Sequence, residues 1–217
     1  GLDASQVSAL RPAVLSSLGS EQVGALSSTS LAGLTLDQLA ALRGAHMPGL
    51  VTTGWNGAMG LKLSPDQMLE LSSSAVRGIP AGAVRPEYLL SAQIAVLLPE
   101  QVSAMPAASV SPNVVRALGS AQTMALTQMQ LSSLSAESVS AISAAQIRLM
   151  SPSLLAAFAT PDDQGGMGTV GTVADLSGDA VRALTSFQVS GLRMEQVRAL
   201  TVDQMSSLST GAMRGFS

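Results

Sequence analysis

The residues that carry chemistry are few and scattered. His46 is the single histidine, and the chain has no cysteine. A metal site or a nucleophile–base–acid set built on His46 needs partners of a kind the chain does not supply. His46 is therefore expected to fill an ordinary polar position. Residues 162–166 (Asp-Asp-Gln-Gly-Gly) offer oxygen ligands to calcium. Their acids do not alternate as in a calcium-binding loop, so a solvated turn is the expectation. No Gly-x-Ser-x-Gly elbow and no phosphate loop occurs. Arg77, Arg116, Arg148, Arg182, Arg198 and Arg214 recur at one position of a repeat. Stacked repeats would align some of them into a row able to grip an acidic glycan or partner. The competing reading pairs them with acids three residues earlier, as in Asp179/Arg182 and Glu195/Arg198. Trp55 and Tyr88 fall in irregular stretches and are candidate partner anchors, or else closures of a corner. The candidate binding residues are thus Trp55, Tyr88, Arg182 and Arg198. No catalytic, cofactor-binding or metal-binding residue is expected, and the chain reads as a non-enzyme.

What positions these residues is an eight-residue repeat. Residues 35–42 (Thr-Leu-Asp-Gln-Leu-Ala-Ala-Leu) and 201–208 (Thr-Val-Asp-Gln-Met-Ser-Ser-Leu) show it plainly. With positions labelled a to h, the consensus is Ser/Thr-x-Asp/Glu-Gln-Val-x-Ala-Leu. Octads run over 3–58, 64–79, 90–105, 111–158 and 169–216, with 51–58 degenerate. The stretches 59–63, 80–89, 106–110 and 159–168 break the phase and are expected to be corners or projecting loops. In the 22 regular octads position h is always a large apolar residue. Position a is Ser or Thr in 14 of them and position d is Gln in 12, which makes the pattern one of design and not of composition.

The spacing from e to h is three, so these side chains share one helical face. The spacing from h to the next e is five, and at about 100° per residue this leaves the stripe. One long helix would scatter the apolar residues, so the helix must break once per octad. Ser or Thr at a is a preferred N-cap, and Gln at d stands where a capping box needs it. Pro12, Pro65, Pro99, Pro112 and Pro152 occupy b, the first helical position, where a missing N–H does no harm. Acids gather at c, in the first turn: Glu21, Asp37, Asp66, Glu100, Glu137, Asp179, Glu195 and Asp203. Such short helices are unstable alone and must bury e and h against neighbours, with the small residue at g allowing close approach. Met47, Met68, Met105, Met150, Met205 and Met213, at e or h, are expected to be core filler. The expected fold class is all-α, a solenoid or superhelix with one very short helix per octad, forming a single array over 1–217 with caps and turns outside. A β-solenoid is the alternative. The odd e–h spacing opposes it, because a period of two places those residues on opposite faces.

The composition narrows the partners. Net charge is −3 with no basic block, which argues against nucleic-acid binding. No apolar run reaches the length of a membrane span. Aromatic residues make up 2%, so Val, Leu, Ile, Met and Ala must form the core. Leu2 stands at position h and Ser217 at position a, so the register runs to both ends. The expectation is either a segment of a longer array or a subunit that stacks on itself head to tail.

Residues 34–42 (Leu-Thr-Leu-Asp-Gln-Leu-Ala-Ala-Leu) and 200–208 (Leu-Thr-Val-Asp-Gln-Met-Ser-Ser-Leu) resemble the tandem Leu-Thr-x-x-Gln-Val/Ile-x-x-Leu repeats of large bacterial secreted or cell-surface proteins, which are adhesin-like. Residues 63–68 (Leu-Ser-Pro-Asp-Gln-Met) bear a more distant likeness to mesothelin and stereocilin, which are superhelices of short helices. These resemblances imply an extracellular or cell-surface location and a structural or adhesive role, and they transfer no site residues. The expected function is a structural protein that assembles end to end into, or forms part of, an extracellular filament or surface stalk. The alternative is a protein- or glycan-binding solenoid using the loops at 80–89 and 159–168.

Overall fold

The computed structural model describes residues 1–53, 59–159 and 170–216. The fold is all-α, built from short helices, and it divides into two compact units, Gly1–Met105 and Pro106–Ser217. In the first unit the helices are α1 (Ala4–Ser8), α2 (Pro12–Ser17), α3 (Ser20–Gly24), α4 (Ser28–Leu31), α5 (Leu36–Ala41) and α6 (Met47–Leu50). They are followed by strands β1 (Val51–Thr53) and β2 (Met59–Leu61), then α7 (Pro65–Leu69), α8 (Ser73–Gly78), α9 (Ser91–Ile94) and α10 (Pro99–Ser103). The second unit holds α11 (Pro112–Ala117), α12 (Ser120–Met124), α13 (Gln128–Ser132), α14 (Ala136–Ser140), α15 (Ala144–Leu149) and α16 (Pro152–Leu155). It continues with α17 (Gly178–Arg182), α18 (Ser186–Val189), α19 (Met194–Ala199), α20 (Val202–Ser207) and α21 (Thr210–Met213).

Every α-helix but α6 starts at position b of its octad; α6 starts at e, after a 3₁₀ turn over Gly44–His46. The Ser64 hydroxyl accepts from the Gln67 amide while Gln67 Oε1 accepts from the Ser64 amide at 3.0 Å. Thr35/Gln38, Thr127/Gln130, Ser143/Gln146 and Thr201/Gln204 repeat the exchange. The five prolines at b each lie in the first turn. Each such cap stabilises its helix by about 1 kcal/mol. That is too little to hold a helix of four to six residues in water, so packing must supply the rest.

Packing follows one rule. In the first unit α1 packs on α4, α2 on α5 and α3 on α6, so each element meets the third element after it. The second unit keeps the rule: α11 packs on α14, α12 on α15, α17 on α20 and α18 on α21. From Val7 to Val189, every e residue of a regular octad is no more than 3% exposed. The approach is closest between g of one helix and b of the helix three before. A β-carbon on Gly49 would stand 1.8 Å from the Ser20 carbonyl oxygen, and one on Gly78 would stand 2.0 Å from Gly44 Cα. A side chain larger than glycine at either position displaces main chain.

Three of the phase-breaking stretches differ from the expectation of corners or projecting loops; the fourth, 159–168, lies outside the described residues apart from Ala159. Residues 80–89 form two 3₁₀ turns, Ala81–Ala83 and Pro86–Tyr88, and residues 106–110 form one, Ala107–Ser109. Val84, Leu89 and Val110, which close these turns, are buried as h residues are. Each is an octad lacking e, f and g: a cap, a single turn and the closing apolar residue. They pack by the same rule, with Pro86–Tyr88 on α7, Ala81–Ala83 on α10 and Ala107–Ser109 on α13. The spacing also reads 51–58 as a degenerate octad and 59–63 as a slip. The chain instead pairs β1 with β2 antiparallel, Val51 opposite Leu61 and Thr52 opposite Gly60. In the second unit α15 packs on α17 and α16 on α18, across residues 159–168. There the rule continues as though those residues were not counted.

Candidate functional site

The helices are so short that their last carbonyls make up a large share of the main chain. Every α-helix leaves its final C=O groups without intrahelical donors, and when buried they need a partner. The partner is glutamine at d. Gln101 Oε1 accepts from the Leu98 amide at 2.8 Å, and its Nε2 donates to the Val76 and Ile79 carbonyls at 3.0 and 2.6 Å. Gln93 reaches Met68 and Leu71, and Gln38 reaches Val7 and Leu10. In the second unit Gln146 reaches Val115 and Leu118, Gln188 reaches Ile147 and Met150, and Gln196 reaches Leu155 and Phe158. Each target pair is e and h of the unit four places earlier. The rule counts the short turns and the hairpin as whole units, so the separation in sequence varies while the partner does not.

Glutamine at d was expected to sit with the caps on the outside. The structure buries it: Gln101 is 1% exposed and Gln196 is fully buried. The reason is that its amide has two jobs. Oε1 caps its own helix and Nε2 satisfies the carbonyls of another. The glutamine half of the exchange, Oε1 accepting from the a amide, persists where a carries no hydroxyl, as at Leu90, Leu98 and Arg193. A signal was present in the sequence. A capping box takes Glu as readily as Gln, yet no octad has Glu at d. Only the amide can donate.

Other residues at d do part of the work. The Ser30 hydroxyl meets the Leu2 carbonyl oxygen at 2.5 Å and that of Ser138 meets Val110 at 3.1 Å. Lys62, the chain's only lysine, stands in the hairpin's d place and donates through Nζ to Gly24 and Leu26. Its role has no signal in the octad pattern, because the pattern is absent there.

The other candidates are placed as follows. His46 is 2% exposed, and its Nδ1 accepts from the Arg43 amide at 2.9 Å. It is a polar residue doing the capping half of glutamine's work. Arg182 pairs with Asp179 at 2.7 Å, with side chains 63% and 81% exposed. The Glu195/Arg198 pair does not close into an ion pair among the described residues. Arg148 and Arg182 lie on successive stacked helices, α15 and α17, and Arg198 lies on α19. Arg77 Nε donates to the Val96 carbonyl and Arg116 meets Asn113 at 3.4 Å. Tyr88 is 42% exposed on its 3₁₀ turn. Trp55 and the acids of 162–166 lie outside the described residues. The methionines Met47, Met68, Met105 and Met150 are core, but Met213 is 44% exposed.

The acids at c are all exposed. Glu137 is held below the usual carboxylate range, chiefly by its own backbone amide and then by the Ser135 hydroxyl. Among the described residues no three His, Asp or Glu side chains gather as a metal site. A groove of about 750 Å³ in the second unit is lined by Met129, Ser132, Ser153, Ala156, Ala157 and Arg193, among others. Its lining holds one charged side chain and no acid–base pair. No described helix is long and apolar enough to cross a membrane. Set against protein-family models, curated proteins and solved structures, the chain matches none of them.

Proposed function

We propose that the chain is a structural repeat protein, an α-solenoid with three units per coil, which assembles end to end into, or forms part of, an extracellular filament or cell-surface stalk. The observation that carries this reading is the constancy of the glutamine bond. Its target lies four units back whether the intervening units are octads (Gln38 to Val7), include five-residue turns (Gln101 to Ile79) or include the strand pair (Gln67 to Leu31). Three elements per coil give that relation, since the donor then reaches the turn leading into the helix beneath its own. A device repeated so uniformly serves extension, and among the described residues no step concentrates acids, bases and nucleophiles in one place. The extracellular location rests on the resemblance of the Leu-Thr-x-Asp-Gln octads to bacterial surface repeats. Negative-stain electron microscopy of the purified chain tests the reading. Linear assemblies of uniform width are expected, and discrete monomers at every concentration contradict it.

A second reading, a protein- or glycan-binding module, draws on the groove beside Met129, which is 73% exposed, and Arg193. It requires that Met129→Ala abolish binding of a glycan or protein probe while assembly is unchanged.

A further inference from the structure

Octads three units apart share one side of the second unit. There α13 and α16 form the walls of one groove, and α16 packs on α18. The octads of these three helices are 127–134, 151–158 and 185–192. They are well separated in the chain, yet none of them holds an Asp, Glu, Lys or Arg residue. Among the other octads of the second unit only 119–126 shares that property. The other two sides carry exposed charges, Glu137 and Arg198 on the α14 side and Arg148 and Asp203 on the α15 side.

The uncharged side has two projections. Met129 and Phe187, both at c, are 73% and 72% exposed. Ser153, at c of α16 between them, is exposed and small. The c residues thus run large, small, large along the stack, and the f residues Ser132, Ala156 and Ser190 are all small. Both rows read alike from either end, with α16 at the centre. A half-turn about an axis over α16 therefore lays Phe187 of one copy beside Met129 of another, twice, with Ser153 against Ser153. The groove beside Met129 lies where the ring arrives. Arg193, which also lines that groove, is the N-cap of α19, and its Nη2 donates to the Phe158 carbonyl oxygen at 2.7 Å.

We propose that this side of the second unit is a side-by-side contact between two copies of the chain, related by a two-fold axis over α16. Charge and shape select the occupant. Two uncharged faces meet without stranding a charge, whereas a charged partner would leave its own charges unpaired. A two-fold contact requires that one residue meet a second while the second meets the first, and the large, small, large row supplies that pairing. A thioether against an aromatic ring is a favourable contact. With helices about 8–10 Å apart, three of them present a face on the order of a few hundred Å², below the roughly 800 Å² per partner of a stable complex. An isolated pair is therefore weak, and copies aligned in one filament add their contacts. The contact is lateral and goes beyond the end-to-end reading; only its strengthening by alignment rests on that reading.

The chain has no cysteine, so Ser153→Cys places a single thiol at the axis. A short bismaleimide is expected to link that variant into dimers at least about tenfold faster than Ser140→Cys, whose thiol stands on α14 on another side. Charge exchange tests the pairing of Met129 with Phe187. Ser153→Cys combined with Met129→Glu, and Ser153→Cys combined with Phe187→Arg, are each expected to fall to near the Ser140→Cys rate. An equal mixture of the two is expected to recover a large part of the Ser153→Cys rate, because the new acid of one copy then faces the new guanidinium of the other. Circular dichroism melting verifies that every variant stays folded, as expected at exposed positions. No acceleration at Ser153, or no recovery in the mixture, overturns the proposal. Retention of the unlinked chain on a neutral polysaccharide resin, lost in Phe187→Arg, also overturns it and gives the face to a glycan. Negative-stain microscopy reads end-to-end growth separately. Filaments without linkage at Ser153 sink the lateral contact alone, and linkage without filaments sinks the end-to-end reading alone.

Discussion

Gln101 and Val76 are 25 residues apart, yet the Gln101 side-chain amide donates to the Val76 carbonyl oxygen at 3.0 Å. The same amide meets Ile79 at 2.6 Å. The intervening chain includes two five-residue turns and one octad, and the bond holds because each turn keeps the cap and the closing apolar residue of a full repeat. The bond is therefore a property of repeat order, not of chain length.

Replacing Gln101 with Glu tests the double role of the amide. Glu retains the oxygen that caps Leu98 but cannot donate to two buried carbonyls, and it brings a charge among them. The expected loss is roughly 3 kcal/mol, the range for a buried polar contact turned into an unpaired charge. Gln22→Glu, at an exposed position, is expected to change stability by less than about 0.5 kcal/mol. Denaturant unfolding of the two variants compares them directly, and equal effects would reduce glutamine to an ordinary cap.

Close packing of g on b predicts a steep response at Gly49. Gly49→Ala puts a methyl group into the Ser20 carbonyl, which has no rotamer through which to retreat. The expected cost is about 1–3 kcal/mol or more. Gly178→Ala, where a β-carbon meets nothing within 4 Å, is expected to be neutral or slightly stabilising. Thermal melts of the pair decide the point.

His46 performs only the capping half of the task. His46→Gln restores an amide able to reach the carbonyls four units back, at Leu15 and Leu18. A gain of about 0.5–1.5 kcal/mol is expected in denaturant unfolding. A loss would mean that the imidazole fills space no glutamine can fill.

Glu137 gives the pH dependence its sign. Its folded carboxyl titrates below the ordinary range, so its contribution is present at neutral pH and is lost as the pH falls through the lowered value. Carboxyl NMR titration is expected to place Glu137 below the ordinary glutamate range, and Ser135→Ala is expected to move it part of the way back.

The octad made the helices legible before any coordinates. Ser64, Pro65, Asp66 and Gln67 are a cap, a first turn and a box readable from adjacent residues alone, because all of their interactions are local. The turns at 80–89 and 106–110 were not legible, since deletion of e, f and g removes the spacing by which a repeat is recognised. Pro80-Ala81-Gly82-Ala83-Val84 and Pro106-Ala107-Ala108-Ser109-Val110 resemble one another more than either resembles an octad. The strand pair escaped for a related reason: the pairing of Val51 with Leu61 joins residues that no octad spacing relates and leaves no periodic trace. Of the candidate binding residues, Arg182 forms the local ion pair that its spacing with Asp179 implies. The donor role of Gln101 lay hidden because its acceptors lie 22 and 25 residues away. Only the choice of Gln over Glu hinted at it.

The most direct test of the account is the proton NMR of the glutamine side-chain amides. The Nε2 protons of Gln101 are expected to exchange slowly and to show cross-relaxation to Val76 and Ile79, as those of Gln146 do to Val115 and Leu118. Cross-relaxation confined to residues within the same octad, with fast exchange, would contradict the four-unit relation on which the proposed coil rests.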